Sequence, residues 1–304
     1  MSSSSFLRQL ALVLFLSVDG PGARAESITL TPSADTSIFE KAPLNNFGAL
    51  QSVVAGNTAS LDPARALVKF GIDAALPAGA RITRASFELT VIKESLLVEA
   101  ATFEMYRLQV DWGEGNKGAG LITGLGSTAT AGESSWTARF QPNDLWSMPG
   151  GGAGADYANT RSAAADLTTE GTLIFESSAE LMGDAQHWLD DPASNFGWLI
   201  KDQFESTSQT ARRFGSREHP TEQPRLLLEF TSPPRISGAE LMGNQFCLQF
   251  QAKAGKAYLV ERRDLLDHGL WTTVTNLPPA NTPESVVVCE PFATGSRFYR
   301  VGER

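Results

Sequence analysis

Between residues 26 and 231 the apolar side chains recur at every second position, in runs too short for ordinary helices. Ala85, Phe87, Leu89 and Val91 interleave with Ser86, Glu88, Thr90 and Ile92. Further β-branched or aromatic runs cover 65–72, 102–110, 172–176, 198–201 and 226–230, each bounded by Gly, Pro, Asn or Asp. Alternate residues share a face only in a pleated strand, so this period dictates strands with one buried side. Many short strands between turn residues predict an all-β, antiparallel sandwich. One segment breaks the period. Ser177-Ser178-Ala179-Glu180 reads as a capping box, and Leu181, Ala185 and Trp188 then fall on one helical stripe that Pro192 ends.

Residues 1–25 read as a secretory signal peptide: Arg8, the apolar run Leu10 to Leu16, then the small-x-small site Ala23-Arg24-Ala25. The run is shorter than the roughly 20 residues of a spanning helix. The expectation is a secreted chain starting at Glu26, with no membrane insertion. A β domain spans 26–231. Residues 232–235, with Ser232-Pro233-Pro234, form a stiff linker, and 236–304 a small second β domain. Its strands are expected at 246–250, 258–261, 272–274, 285–289 and 297–301. Cys247 and Cys289 both lie there, as a disulfide or as two buried thiols.

A formal charge of −9 argues against nucleic acid or an anionic membrane as partner. Three His and two Cys exclude a multi-histidine or cysteine-rich metal centre. Gly113-Glu114-Gly115-Asn116-Lys117-Gly118 has dinucleotide-motif spacing, but no helix pattern follows to hold a pyrophosphate. His187 lies in the helical segment, and His219 and His268 beside turns, none with a nucleophile motif. Asp190-Asp191, Asp202/Glu205 and Glu218 supply carboxylates without catalytic motif support.

Two oxygen-rich turns are candidate structural calcium sites: Asp35 with Asn45 and Asn46, and Asp190 with Asp191 and Asn195. The competing reading is ordinary Asx turns. Trp112, Trp136, Trp146 and Tyr157 border the Gly-rich stretches 113–132 and 149–154. Such rings either fill a core or offer a flat face to a sugar; Trp112, Trp136 and Tyr157 are the candidate platforms. Arg65, Arg213 and Arg217 are the candidate polar contacts. Arg65 or Arg217 alternatively bridges Asp35 or Glu218 internally.

Ala34-Asp35-Thr36-Ser37-Ile38, Asn46-Phe47-Gly48 and the run Arg65 to Phe70 resemble the opening of the DNRLRE (disaggregatase-related) domain. That family overlaps carbohydrate-binding module family 96. The resemblance continues through Leu76–Ile82, Ala85–Leu89, Trp112 with Glu114, Ser135-Trp136, and Trp146 with Gly150-Gly151. It closes with Trp188–Lys201, Ser216-Arg217-Glu218 and Pro224-Arg225-Leu226, spanning nearly all of 27–231. It implies a jelly-roll-like β-sandwich of secreted or surface proteins that bind or process polysaccharide, alginate-type acidic glycans among them. Two loop positions depart from the family: an Ala/Gly insert delays Asp156, and Thr137 follows Trp136 where the family has Asn. Tyr258-Leu259-Val260-Glu261, Trp271 and the run Arg297 to Val301 are similar to small fibronectin-like C-terminal domains of secreted bacterial proteins.

The resulting expectation is an exported, non-catalytic polysaccharide-binding protein that meets glycan, acidic glycan included, through the rim loops of a sandwich. Structural calcium is its one candidate cofactor. The rivals are a polysaccharide hydrolase or lyase, and a structural surface or matrix protein without a sugar site.

Overall fold

The computed structural model describes residues 26–77, 79–94, 99–118, 125–168, 170–265, 269–293 and 295–303. The segment 1–25, read above as a signal peptide, and His268 lie outside the described residues. Two compact units emerge: Ser27–Ala78 with Ile82–Phe230, and Thr231–Arg304 with Gly79–Arg81. Among the described residues no helix is long and apolar enough to cross a membrane.

Among the described residues the large unit is all β apart from one α-helix and a 3-10 turn at Pro192–Ser194. Its first strands are β1 (Glu26–Leu30), β2 (Ala34–Phe39), β3 (Asn45–Asn46), β4 (Ser52–Asn57), β5 (Pro63–Lys69), β6 (Arg81–Glu94) and β7 (Ala101–Arg107). Then come β8 (Ser127–Thr128), β9 (Ala138–Phe140), β10 (Asp144–Leu145), β11 (Ala163–Leu167) and β12 (Thr172–Phe175). After helix α1 (Ala179–Asp190) follow β13 (Trp198–Asp202), β14 (Arg212–Gly215) and β15 (Arg225–Thr231). The main path runs β1-β15-β6-β14-β4-β5-β13-β7-β11, with β12 added on β6 and β2 on β5.

The path bends sharply at β4. Six residues of β2 pair along β5, whereas β4 meets β5 only at Gly56 with Ala64 and Asn57 with Pro63. Gly56 has φ of +102°, and a Cβ there would lie 2.6 Å from the Thr210 carbonyl oxygen, so only glycine turns this corner. The curled antiparallel sheets enclose a sandwich-like core. Phe70, Phe87, Phe103, Phe175, Trp198 and Phe214 are fully buried in it. The long strand β6 buries Ala85, Phe87 and Leu89, with Ser86 buried between the first two.

Helix α1 lies against this core through Leu181, Ala185, Trp188 and Leu189, and Trp188 packs on Trp198 at 4.5 Å between ring centroids. The cap sits one residue later than the capping box implies. Ser178 is the N-cap, its Oγ accepting from the Leu181 N–H at 2.9 Å, while the Ser177 Oγ accepts from the Ala85 N–H. Glu180 therefore falls at the second helical position, too early to close the box, and stays exposed.

The small unit has β16 (Ile236–Met242), β17 (Gln245–Ala252), β18 (Tyr258–Arg263), β19 (Thr272–Leu277), β20 (Glu284–Pro291) and β21 (Phe298–Glu303). They form two three-stranded sheets, β16-β17-β20 and β19-β18-β21. Their shared core holds Leu248, Phe250, Tyr258, Val260, Tyr299 and Val301. The β17–β20 register sets Cys247 directly opposite Cys289, and the two are joined as a disulfide with Cα atoms 4.1 Å apart.

Candidate functional site

The Gly-rich loops contain few aliphatic side chains of their own, so large rings anchor them. Trp112, Trp136, Trp146 and Tyr157 cluster with Ile38, Leu67, Leu108 and Leu199, each ring residue between 4% and 7% exposed. The Trp112 Nε1–H donates to the Phe196 carbonyl and the Trp146 Nε1–H to the Ser135 carbonyl, both at 2.8 Å. Gly150 has φ of +86° and lies on the Trp136 ring, where a Cβ would come within 2.6 Å of it. Trp112, Trp136 and Tyr157, the expected sugar platforms, are packed within this cluster.

Arg65 belongs to the same scaffold. Its guanidinium grips both Glu205 oxygens at 2.7 Å, donates to the Gly150 and Gly151 carbonyls at 2.8 and 3.1 Å, and lies over the Trp136 ring. Arg217 binds Glu114 bidentately at 2.8 and 3.1 Å and also pairs Glu218 at 2.9 Å. Arg213 lies over Phe47 and donates to the Ser52 hydroxyl, and burial pulls its pKa down. The three arginines expected to hold glycan thus each hold the fold, because a guanidinium under a loop needs acceptors close by.

The candidate calcium turns are also engaged with protein. Asp35 is 1% exposed and its Oδ2 accepts the Arg217 N–H at 2.7 Å. Burial, reinforced by the nearby Glu218 and Glu114 carboxylates, pushes Asp35 up to about 8 against the opposing pull of Arg217. Asn46 donates to the Glu114 and Ser134 carbonyls, and its Oδ1 accepts from Gly48 and Lys117. With its one acceptor oxygen already bound twice, Asn46 organises the loop. Asp190 faces solvent beside Gln186, whereas Asn195 is buried and donates to the Phe70 carbonyl. Among the described residues no three His, Cys, Asp or Glu side chains converge as a metal centre. His219 caps a turn, its Nδ1 accepting from Thr221 and Glu222.

An open polar groove of ≈ 390 Å³ lies elsewhere on the large unit, between the end of β7, the 154–162 loop and the first turns of α1. Asp184 is set in its wall. It accepts from the Ser162 Oγ at 2.5 Å and the Trp198 Nε1–H at 3.0 Å, and faces the Arg107 Nε at 3.2 Å. Burial raises the Asp184 pKa, and those donors act against the rise. Gln109, Asn159, Thr160 and Glu180 line the same groove with exposed side chains. None of these four side chains has a hydrogen-bond partner among the described residues. Gly183 completes the α1 side.

Sequence reasoning missed this groove, since Gln109, Asn159 and Thr160 are ordinary surface types scattered over 52 positions. The one available signal was Gly183, a glycine inside the helical segment three residues after Glu180. No protein-family model matches the chain, and no curated protein matches it.

Proposed function

We propose that the large unit is a non-catalytic polysaccharide-binding module and that the groove beside α1 is its ligand site. The supporting observation is the set of exposed, unspent hydrogen-bonding side chains there: two amides, a hydroxyl and a carboxylate on a rigid β scaffold. Such a mixture of donors and acceptors matches a chain of hydroxyl groups, each of which both donates and accepts. Glycoside hydrolysis by the usual route needs two carboxyl groups free to act. Here Asp184 is committed to Ser162, Trp198 and Arg107, which leaves Glu180 alone in the groove. The leader-like residues 1–25 support an exported protein acting outside the cell.

Affinity electrophoresis of the full chain through gels containing individual polysaccharides tests this reading. Retardation by at least one polysaccharide is expected, reduced tenfold or more in Gln109→Ala/Asn159→Ala with unchanged melting. Retardation by none contradicts the proposal. Release of reducing ends or unsaturated products from the retained glycan replaces it with the hydrolase or lyase reading.

A further inference from the structure

The charge and the shape of the groove go further than its hydrogen-bonding capacity, on the footing of the glycan reading above. Arg107 is the one cation among its lining residues, and it faces the Asp184 carboxylate at 3.2 Å. Glu180 adds a second carboxylate, with no cation paired to it among the described residues. The lining therefore carries one positive and two negative groups, within a chain whose formal charge is −9. A uronate or sulfate ester placed there would meet Glu180, while the one positive charge nearby, on Arg107, is already offset by Asp184, and like charges at close range repel.

Gly183 adds an independent observation. A glycine inside an exposed helix costs about 1 kcal/mol relative to alanine. Where a fold demands such a glycine, a neighbouring atom blocks its Cβ or its φ is positive. Neither holds at Gly183: nothing lies within 4 Å of a Cβ built there, and its φ is not in the left-handed range. The packing of α1 gives no reason for it. Glu180, Gly183 and Asp184 share one face of α1 through their three- and four-residue spacing, so the missing side chain leaves a shallow step between two carboxylates.

We propose that this step is the seat of an uncharged sugar ring, packed flat over Gly183 with its hydroxyls held by Glu180 and Asn159, and that the module takes neutral rather than acidic glycans. Isothermal titration of the full chain with hexasaccharides of glucose, mannose and xylose, and with those of mannuronate and guluronate, tests it. At least one neutral hexasaccharide should bind, and both oligouronates should bind tenfold or more weaker. Gly183→Gln places a side chain on the step while improving helix propensity. It should melt at or above wild type yet lose tenfold or more in affinity. Oligouronates binding as tightly as the neutral set would overturn the inference and leave the glycan reading standing, as would unimpaired binding by Gly183→Gln. Binding of no neutral hexasaccharide by wild type would overturn the inference, and the glycan reading falls with it only if no polysaccharide retards the chain in gels.

Discussion

Asp35 shows how far burial can move one residue from its chemistry in water. Its pKa rises from 3.8 to about 8, chiefly by desolvation. Asp35 is therefore protonated in the folded protein at neutral pH and ionised in the unfolded chain. Because the folded value is the higher one, the contribution is fully present below about pH 4 and lost as pH rises towards 8, by at most about 1.4 kcal/mol per unit. Asp35→Asn keeps an oxygen for the Arg217 N–H and removes the titration, so its melting temperature should fall less steeply than wild type between about pH 5 and pH 8. Parallel slopes in the two proteins would show that Asp35 is not the titrating group. An internal role for Arg217 was legible from its neighbour Glu218. Its bidentate partner Glu114 was not, because that contact spans 103 positions and nothing local marks it.

At the scale of elements, the strands that read clearly were those with one wet face. β15 alternates in sequence and in burial alike, and β6 does so from Phe87 to Thr90. β4 escaped notice because all six of its residues are buried, so Ser52-Val53-Val54-Ala55-Gly56-Asn57 has no polar beat. β14 begins with two arginines, and Arg212 is fully buried, its guanidinium donating to the Thr210 and Glu99 carbonyls. Helix α1 was legible in its apolar stripe and its stop, and misread by one residue at its start. Ser178 also donates to the Ser162 carbonyl at 2.5 Å, which ties the helix start to the groove loop. Ser178→Ala should cost about 1 kcal/mol or somewhat more in urea unfolding. A loss within about 0.3 kcal/mol of zero would mean that the cap carries no stability, well below the usual range.

At the scale of the molecule, two compact units stand on different supports. The large unit holds no cysteine and rests on its aromatic core, while the small unit is cross-linked over a sequence separation of 42. Closing a loop of that length is worth about 4 kcal/mol by the chain-entropy estimate. Reduction should therefore lower the melting transition of the small unit and leave that of the large unit in place. A common downward shift of both would contradict independent support. The all-β class and the sandwich could be read from period alone. The proposed binding face could not, since the conspicuous tryptophans and arginines anchor loops and the groove is lined by residues without a motif. Hydrogen–deuterium exchange of the full chain, with and without a polysaccharide that retards it, separates these two surfaces. Protection should rise over residues 154–162 and the first turns of α1. Protection confined to the 113–118 and 125–132 segments, with the groove unchanged, would contradict the assignment of the ligand to the groove beside α1.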